Sequence, residues 1–176
     1  MKTGIWMCAL LIGGLTVVAA AQQPVKKSGA AAEETSIALY KKTISVKYVS
    51  APMKGPLKKA WPLGGTSPAT LYTEGDLVFK GLVVPKGTYS LYLLADADKW
   101  QLIINKNIGP KAATYDSGLD VGRVPMILRN SSAPVEACKV TLSKFAARAA
   151  RLELALDSTV ASVPFTLDWV PGDPEW

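Results

Sequence analysis

Three sets of side chains in this sequence are of the right type to do chemistry. Lys54, Lys58 and Lys59 share the proline-flanked loop Ser50–Trp61 and can meet an anionic surface or a glycan. Trp61, Tyr72, Trp100 and Tyr115 can stack on sugar rings; Trp61 and Tyr115 fall in loops, whereas Trp100 belongs to a strand pattern and reads as core. Asp116, Asp120 and Glu136 can supply the paired carboxylates of glycoside hydrolysis, provided that folding sets the separation the reaction needs. Each set also has a plainer reading, as a solubilising loop, buried aromatics and solvated acids.

Other chemistries are excluded by what is missing. The 176 residues contain no histidine, which removes imidazole as base, acid or metal ligand, and with it the serine–histidine–acid triad. No serine has a lysine three positions on, so the serine–lysine acyl-enzyme pattern is absent. Gly81-Leu-Val-Val-Pro-Lys-Gly87 lacks the terminal Lys-Ser/Thr of a phosphate loop, and Pro85 interrupts the helix such a loop requires. Asp96-x-Asp98 has Trp100 at the third ligand position of a calcium loop and no glycine, so it reads as a hairpin turn. The pattern predicts no metal site and no cofactor.

The elements that must position these residues are strands. Apolar residues make up 49% of the chain, enough for a core, and all 12 prolines follow residue 21 at a density that opposes a helical bundle. Thr43–Val49 puts Ile44, Val46 and Tyr48 on one face. Ala69–Thr73 follows, then Leu77–Val84, broken at Lys80-Gly81 by a tight turn. Gly87–Leu94 is apolar on both faces and reads as a central strand, joined through Asp96–Lys99 to Trp100–Asn105. After a polar loop from Lys106 to Asp120, strands are predicted at Val121–Leu128, Val135–Leu142, Arg151–Asp157 and, past a turn at Asp157-Ser158-Thr159, Val160–Leu167. Pro125 and Pro164 mark edges or bulges. The alanine-rich stretch after Leu142 competes for helix, but the period-two pattern from Arg151 favours a turn and then a strand. The expectation is an all-β fold: a single antiparallel, jelly-roll-like β-sandwich of about eight or nine strands over residues 36–176.

Ahead of that domain, Met1–Lys2 and the apolar run Ile5–Ala21, closing on Ala19-Ala20-Ala21, have the form of a secretory signal peptide. The run is at the short end for a membrane span, and residues 22–35 read as a flexible lead-in. Cleavage removes only Lys2 among charged groups, taking the formal charge from +6 to +5, and leaves Cys138 as the one thiol, pointing inward. The chain is therefore expected to be exported, periplasmic or extracellular, with no membrane span after cleavage. Its basic residues lack the aromatic interleaving of a nucleic-acid surface.

Several ordered stretches are similar to one family. Ile44-Ser-Val-Lys-Tyr48, Pro52-Met-Lys-Gly55, Val84-Pro-Lys-Gly-Thr-Tyr-Ser-Leu91, Trp100-Gln-Leu-Ile-Ile-Asn-Lys106 and Asp120-Val-Gly-Arg-Val-Pro-Met126 resemble DUF2911 proteins, small exported bacterial proteins with no assigned activity. Where relatives carry Trp-Arg-x-Gly-Ala-Asn-x-Ala-Thr, this chain reads Trp61-Pro-Leu-Gly-Gly-Thr-Ser-Pro-Ala-Thr70, so Pro62 replaces the arginine. The residues that the resemblance leaves as ligand-binding candidates are Lys54, Asn105, Arg123 and Tyr115; the aromatic reading adds Trp61. The function expected is a non-catalytic envelope module for a ligand, glycan or protein. The alternative is a glycan-processing hydrolase or lyase working through lysine, arginine and carboxylates.

Overall fold

A computed structural model describes residues 31–52 and 59–168. The apolar segment 1–21, the lead-in up to residue 30, Lys54 and Lys58 lie outside them. Eleven strands appear: β1 (Ala31–Leu39), β2 (Lys42–Ser50), β3 (Trp61–Pro62), β4 (Ala69–Thr73), β5 (Leu77–Phe79), β6 (Leu82–Val84), β7 (Gly87–Asp96), β8 (Lys99–Asn105), β9 (Asp120–Pro125), β10 (Ile127–Lys144) and β11 (Ala149–Leu167). The fold is all-β, and all the pairings are antiparallel.

Two sheets face one another across a shared core. The larger runs β1-β2-β4-β7-β8-β9, with β3 continuing the line of β4 along β7; the smaller runs β10-β11-β5-β6. Ile44, Val46, Leu71, Leu91, Leu102 and Ile104 from the larger sheet meet Phe79, Leu152, Leu154, Val163 and Phe165 from the smaller. Phe79 and Phe165 pack with ring centroids 5.1 Å apart. Removing this apolar surface from water, at ~25 cal/mol per Å², is the main drive for folding. Cys138 lies in this core, and burial pushes its thiol up to about 12, so it is a packing residue without thiolate character at neutral pH.

The sheets also approach along their edges. At one seam, Ser50 donates to the Cys138 carbonyl, the Cys138 N–H donates to the Ala51 carbonyl, and the Leu142 N–H donates to the Thr35 hydroxyl. At the other, β6 reaches β9 because residue 122 is glycine: a Cβ there would stand 2.6 Å from the Leu82 side chain.

Several boundaries differ from the expected ones. Strand β1 begins at Ala31, inside the stretch read as lead-in, because its small, exposed residues need no apolar pattern when the whole strand pairs with β2 from Ala31↔Ser50 to Leu39↔Lys42. The stretch Val121–Leu128 is two strands, since the chain leaves the larger sheet at Pro125 and enters the smaller at Ile127, with the Met126 N–H held by the Trp100 carbonyl. No turn interrupts Asp157–Thr159. Instead β11 runs on through Asp157 at φ 50°, opposite the register shifts in β10 around Val135, so the ribbon bends at a bulge. Pro164 sits between the last β10 pairing, at Ser162, and the first β5 pairing, at Thr166, where its missing N–H breaks no recorded pair.

The loop after β3 turns back toward β4 at Gly64, whose φ is +122° and whose missing Cβ would lie 2.8 Å from the Ser67 carbonyl oxygen and 3.2 Å from the Val49 nitrogen. Neither backbone atom can swing aside. Gly64→Ala is expected to lose roughly 2–3 kcal/mol in urea unfolding; an unchanged midpoint would contradict this geometry.

Candidate functional site

Strand β7 is buried on both faces. Leu91 and Leu93 go to the shared core, while Ser90 and Tyr92 point outward and are also buried. What covers them is the segment between β8 and β9. It folds back across the outer face through two short 3-10 turns, Gly109–Ala113 and Ser117–Leu119. Tyr92 donates to the Ala112 carbonyl at 2.5 Å, and its ring meets Tyr115 edge-on with centroids 5.0 Å apart. Ile103 and Ala112 complete a small apolar layer on the outside of the sheet.

Polar side chains close that layer. Asn105, the last residue of β8, is fully buried. Its amide donates to the Asp116 carbonyl at 2.7 Å and to Asp120 Oδ1 at 2.8 Å, and its carbonyl accepts from the Asn107 N–H at 2.8 Å. Asn107 in turn donates to the Lys111 and Thr114 carbonyls. Asp116 caps the second turn by accepting from the Gly118 N–H at 2.9 Å. Tyr115 donates to Asp120 Oδ2 at 2.7 Å, and Arg123 donates to the same oxygen through Nε at 3.1 Å and to the Tyr115 hydroxyl through Nη2 at 2.9 Å. Tyr115, Arg123 and Asp120 close a circuit of three side chains, and Asn105 holds the other oxygen of the same carboxylate.

A bulge makes the circuit possible. On a regular strand, residues three apart point to opposite faces. Between Ile104↔Gly122 and Asn105↔Asp120 the register shifts by one residue, which puts Asp120 and Arg123 on the same side. The electrostatics follow from the packing. Burial raises the Tyr115 phenol above its ordinary range, and the hydrogen bond to Asp120 and its charge add to the effect. Burial does the same to Tyr92, with a contribution from the Asp120 charge. The hydrogen bond to Asp120 raises Arg123 further, keeping it a cation.

Of the residues singled out in the sequence, Asn105, Tyr115 and Arg123 come together here. Trp61 does not. It pairs with Leu93 in the row that runs on through Leu102 to Val124, packs against the core, and buries its indole N–H without a hydrogen-bond partner. The next row is Pro62, Tyr92, Ile103 and Arg123 on the outer face, so Trp61 and Arg123 occupy opposite sides of one sheet. Pro62 lies on the Arg123 side. Trp100 is partly buried against the core, as its pattern predicted. Lys54 lies outside the described residues, and Lys59 is exposed. The carboxylate at the centre, Asp120, and its neighbours Tyr92 and Asn107 were not among the sequence candidates for binding. No group of three or more His, Cys, Asp or Glu gathers with metal-ligand geometry among the described residues.

Comparison with known proteins gives a family and nothing narrower. A family model described as "Protein of unknown function (DUF2911)" matches residues 30–165, and the chain belongs to that family. No curated protein and no solved structure shows a significant match.

Two outcomes follow from the circuit. Asp120→Asn removes the charge on which Tyr115 and Arg123 converge, and is expected to lower stability by about 2 kcal/mol in urea unfolding. Burial also raises Tyr48, from 10.0 to about 12, and lifts Tyr89, Tyr92 and Tyr115. A raised folded-state value means the native protein holds these protons longer than the unfolded chain. The associated stability is complete below pH 10.0 and is lost as pH climbs toward 12. Unfolding free energy measured across that window should fall with pH, and less steeply in Tyr115→Phe.

Proposed function

We propose that this member of the DUF2911 family is an exported, non-catalytic binding module of the bacterial cell envelope, and that an anionic or hydroxyl-rich ligand of the kind envelope glycans present docks against Arg123. The observation that carries the proposal is the state of the guanidinium. Asp120 and Tyr115 hold it by two bonds on a strand, yet its side chain keeps 42% of its surface exposed. A cation held in one orientation with donors still facing water loses little freedom when an oxyanion or a sugar hydroxyl arrives. Tyr115 beside it is half-buried, its ring in edge contact with Tyr92.

The same chemistry weighs against turnover at this place. Both oxygens of Asp120 already accept hydrogen bonds, from Asn105 on one side and from Tyr115 and Arg123 on the other. The Tyr115 phenol is shifted upward, away from the phenolate that a tyrosine base needs. The hydrolase or lyase reading keeps one point in its favour: Asn105 bonds both the Asp116 backbone and the Asp120 carboxylate, so two of the acids seen in the sequence belong to one neighbourhood.

Titration calorimetry of the full chain with soluble peptidoglycan fragments and with polygalacturonate separates these readings. Binding of either, weakened about tenfold or more by Arg123→Gln, is the expected result. If neither binds, or if Arg123→Gln binds as tightly as the parent, the module reading fails. New reducing ends in the mixture would replace it with the enzymatic one.

A further inference from the structure

The strongest feature outside that site lies where two hairpin tips meet. The β1–β2 turn consists of Tyr40 and Lys41, with φ 45° and 60°, between the paired residues Leu39 and Lys42. Two consecutive positive φ values in a two-residue loop are the signature of a type I′ turn, a conformation that asparagine and glycine adopt readily and that Tyr-Lys adopts only with strain. The β10–β11 connection, Phe145–Arg148, stands beside it. The Arg148 guanidinium lies 6.0 Å from the Tyr40 ring centroid, and Arg151 lies 5.5 Å from that of Phe145. Phe145 is 57% exposed and Tyr40 40%. Each aromatic ring therefore projects into solvent with a cation beside it, and Lys41 and Lys144 flank the pair.

We propose that these tips are a docking surface for an anionic lipid bilayer. Apolar ring edges bracketed by guanidinium and ammonium groups match the boundary between acyl chains and headgroups. The rings enter the interface while the cations stay at headgroup level. Charge complementarity sets the sign. Lys41, Lys144, Arg148 and Arg151 stand at the tips; Glu153 offsets Arg151 and Arg129, and Arg148 also donates to the Leu167 carbonyl, which fixes its guanidinium without neutralising it. The strained turn fits the same reading, because Asn-Gly would relieve the backbone but remove both an aromatic and a cation from the tip.

That exchange also supplies the test. The full chain and its variants are sedimented with vesicles of phosphatidylcholine containing phosphatidylglycerol, and with phosphatidylcholine alone; any contribution of the apolar segment 5–21 is common to every arm. The parent is expected to bind the anionic vesicles and to be released by salt. The double variant Tyr40→Asn/Lys41→Gly is expected to melt several degrees higher while binding on the order of tenfold more weakly. Loss of binding in a more stable protein cannot come from misfolding. Lys99→Gln, which removes one charge at the start of β8, should bind as the parent does. A salt-released fraction no larger on the anionic vesicles than on phosphatidylcholine alone, or undiminished in the double variant, overturns the proposal. So does a concentration-dependent dimer that Phe145→Ser abolishes, which would assign the tips to a second copy of the chain.

Discussion

The outer half of this protein depends on how one buried amide is satisfied. Asn105 ends β8 with no exposed surface, and a buried amide without partners costs several kcal/mol. Its three bonds reach Asn107 at the beginning of the covering segment, Asp116 near its end, and Asp120 where the next strand starts. The segment can lie across the sheet only because that amide organises it, and the amide can be buried only because the segment lies there. Tyr92 sits beneath both, bonded to Ala112 and in edge contact with Tyr115. Apolar burial and polar satisfaction thus enforce each other at one strand end.

This dependence gives the candidate site its character. Arg123 is oriented by groups whose first task is structural, so any ligand it meets encounters a donor set in advance. The same arrangement engages both oxygens of Asp120 in hydrogen bonds within the protein. The two cation-bearing places in the molecule differ accordingly. Arg123 belongs to a hydrogen-bonded circuit on a sheet face, whereas Arg148 and Arg151 lean on exposed rings at hairpin tips.

The core was legible in the sequence because alternation is a local signal. Ile44, Val46 and Tyr48, or Leu102 and Ile104, announce their face by spacing alone, and the doubly apolar Gly87–Leu94 run marks the central strand correctly. The site was legible only in part. Asn105, Tyr115 and Arg123 stood out through family resemblance and residue type, but Asp120 looked like a scattered loop acid. Its pairing with Arg123 needs an extra residue in β9, and no composition or period reveals a bulge. Trp61 misled for the opposite reason. Its neighbours have loop-like sequence, yet two residues of pairing with β7 suffice to turn the indole toward the core. At Asp157 a turn-forming sequence became a kink inside a strand, because the long pairing of β10 with β11 outweighs local preference.

The seams between the sheets have a consequence for association. An open sheet edge presents a row of unpaired N–H and C=O groups, a template for a strand of another molecule. Here the edge of β10 faces β1 and β2, where the N–H groups of Cys138 and Leu142 already have acceptors, and β9 lies against β6 through the gap that Gly122 leaves. Each sheet thus shields the other's margins without a continuous ladder closing the barrel. At these positions an incoming strand would have to displace bonds and contacts that the fold already makes.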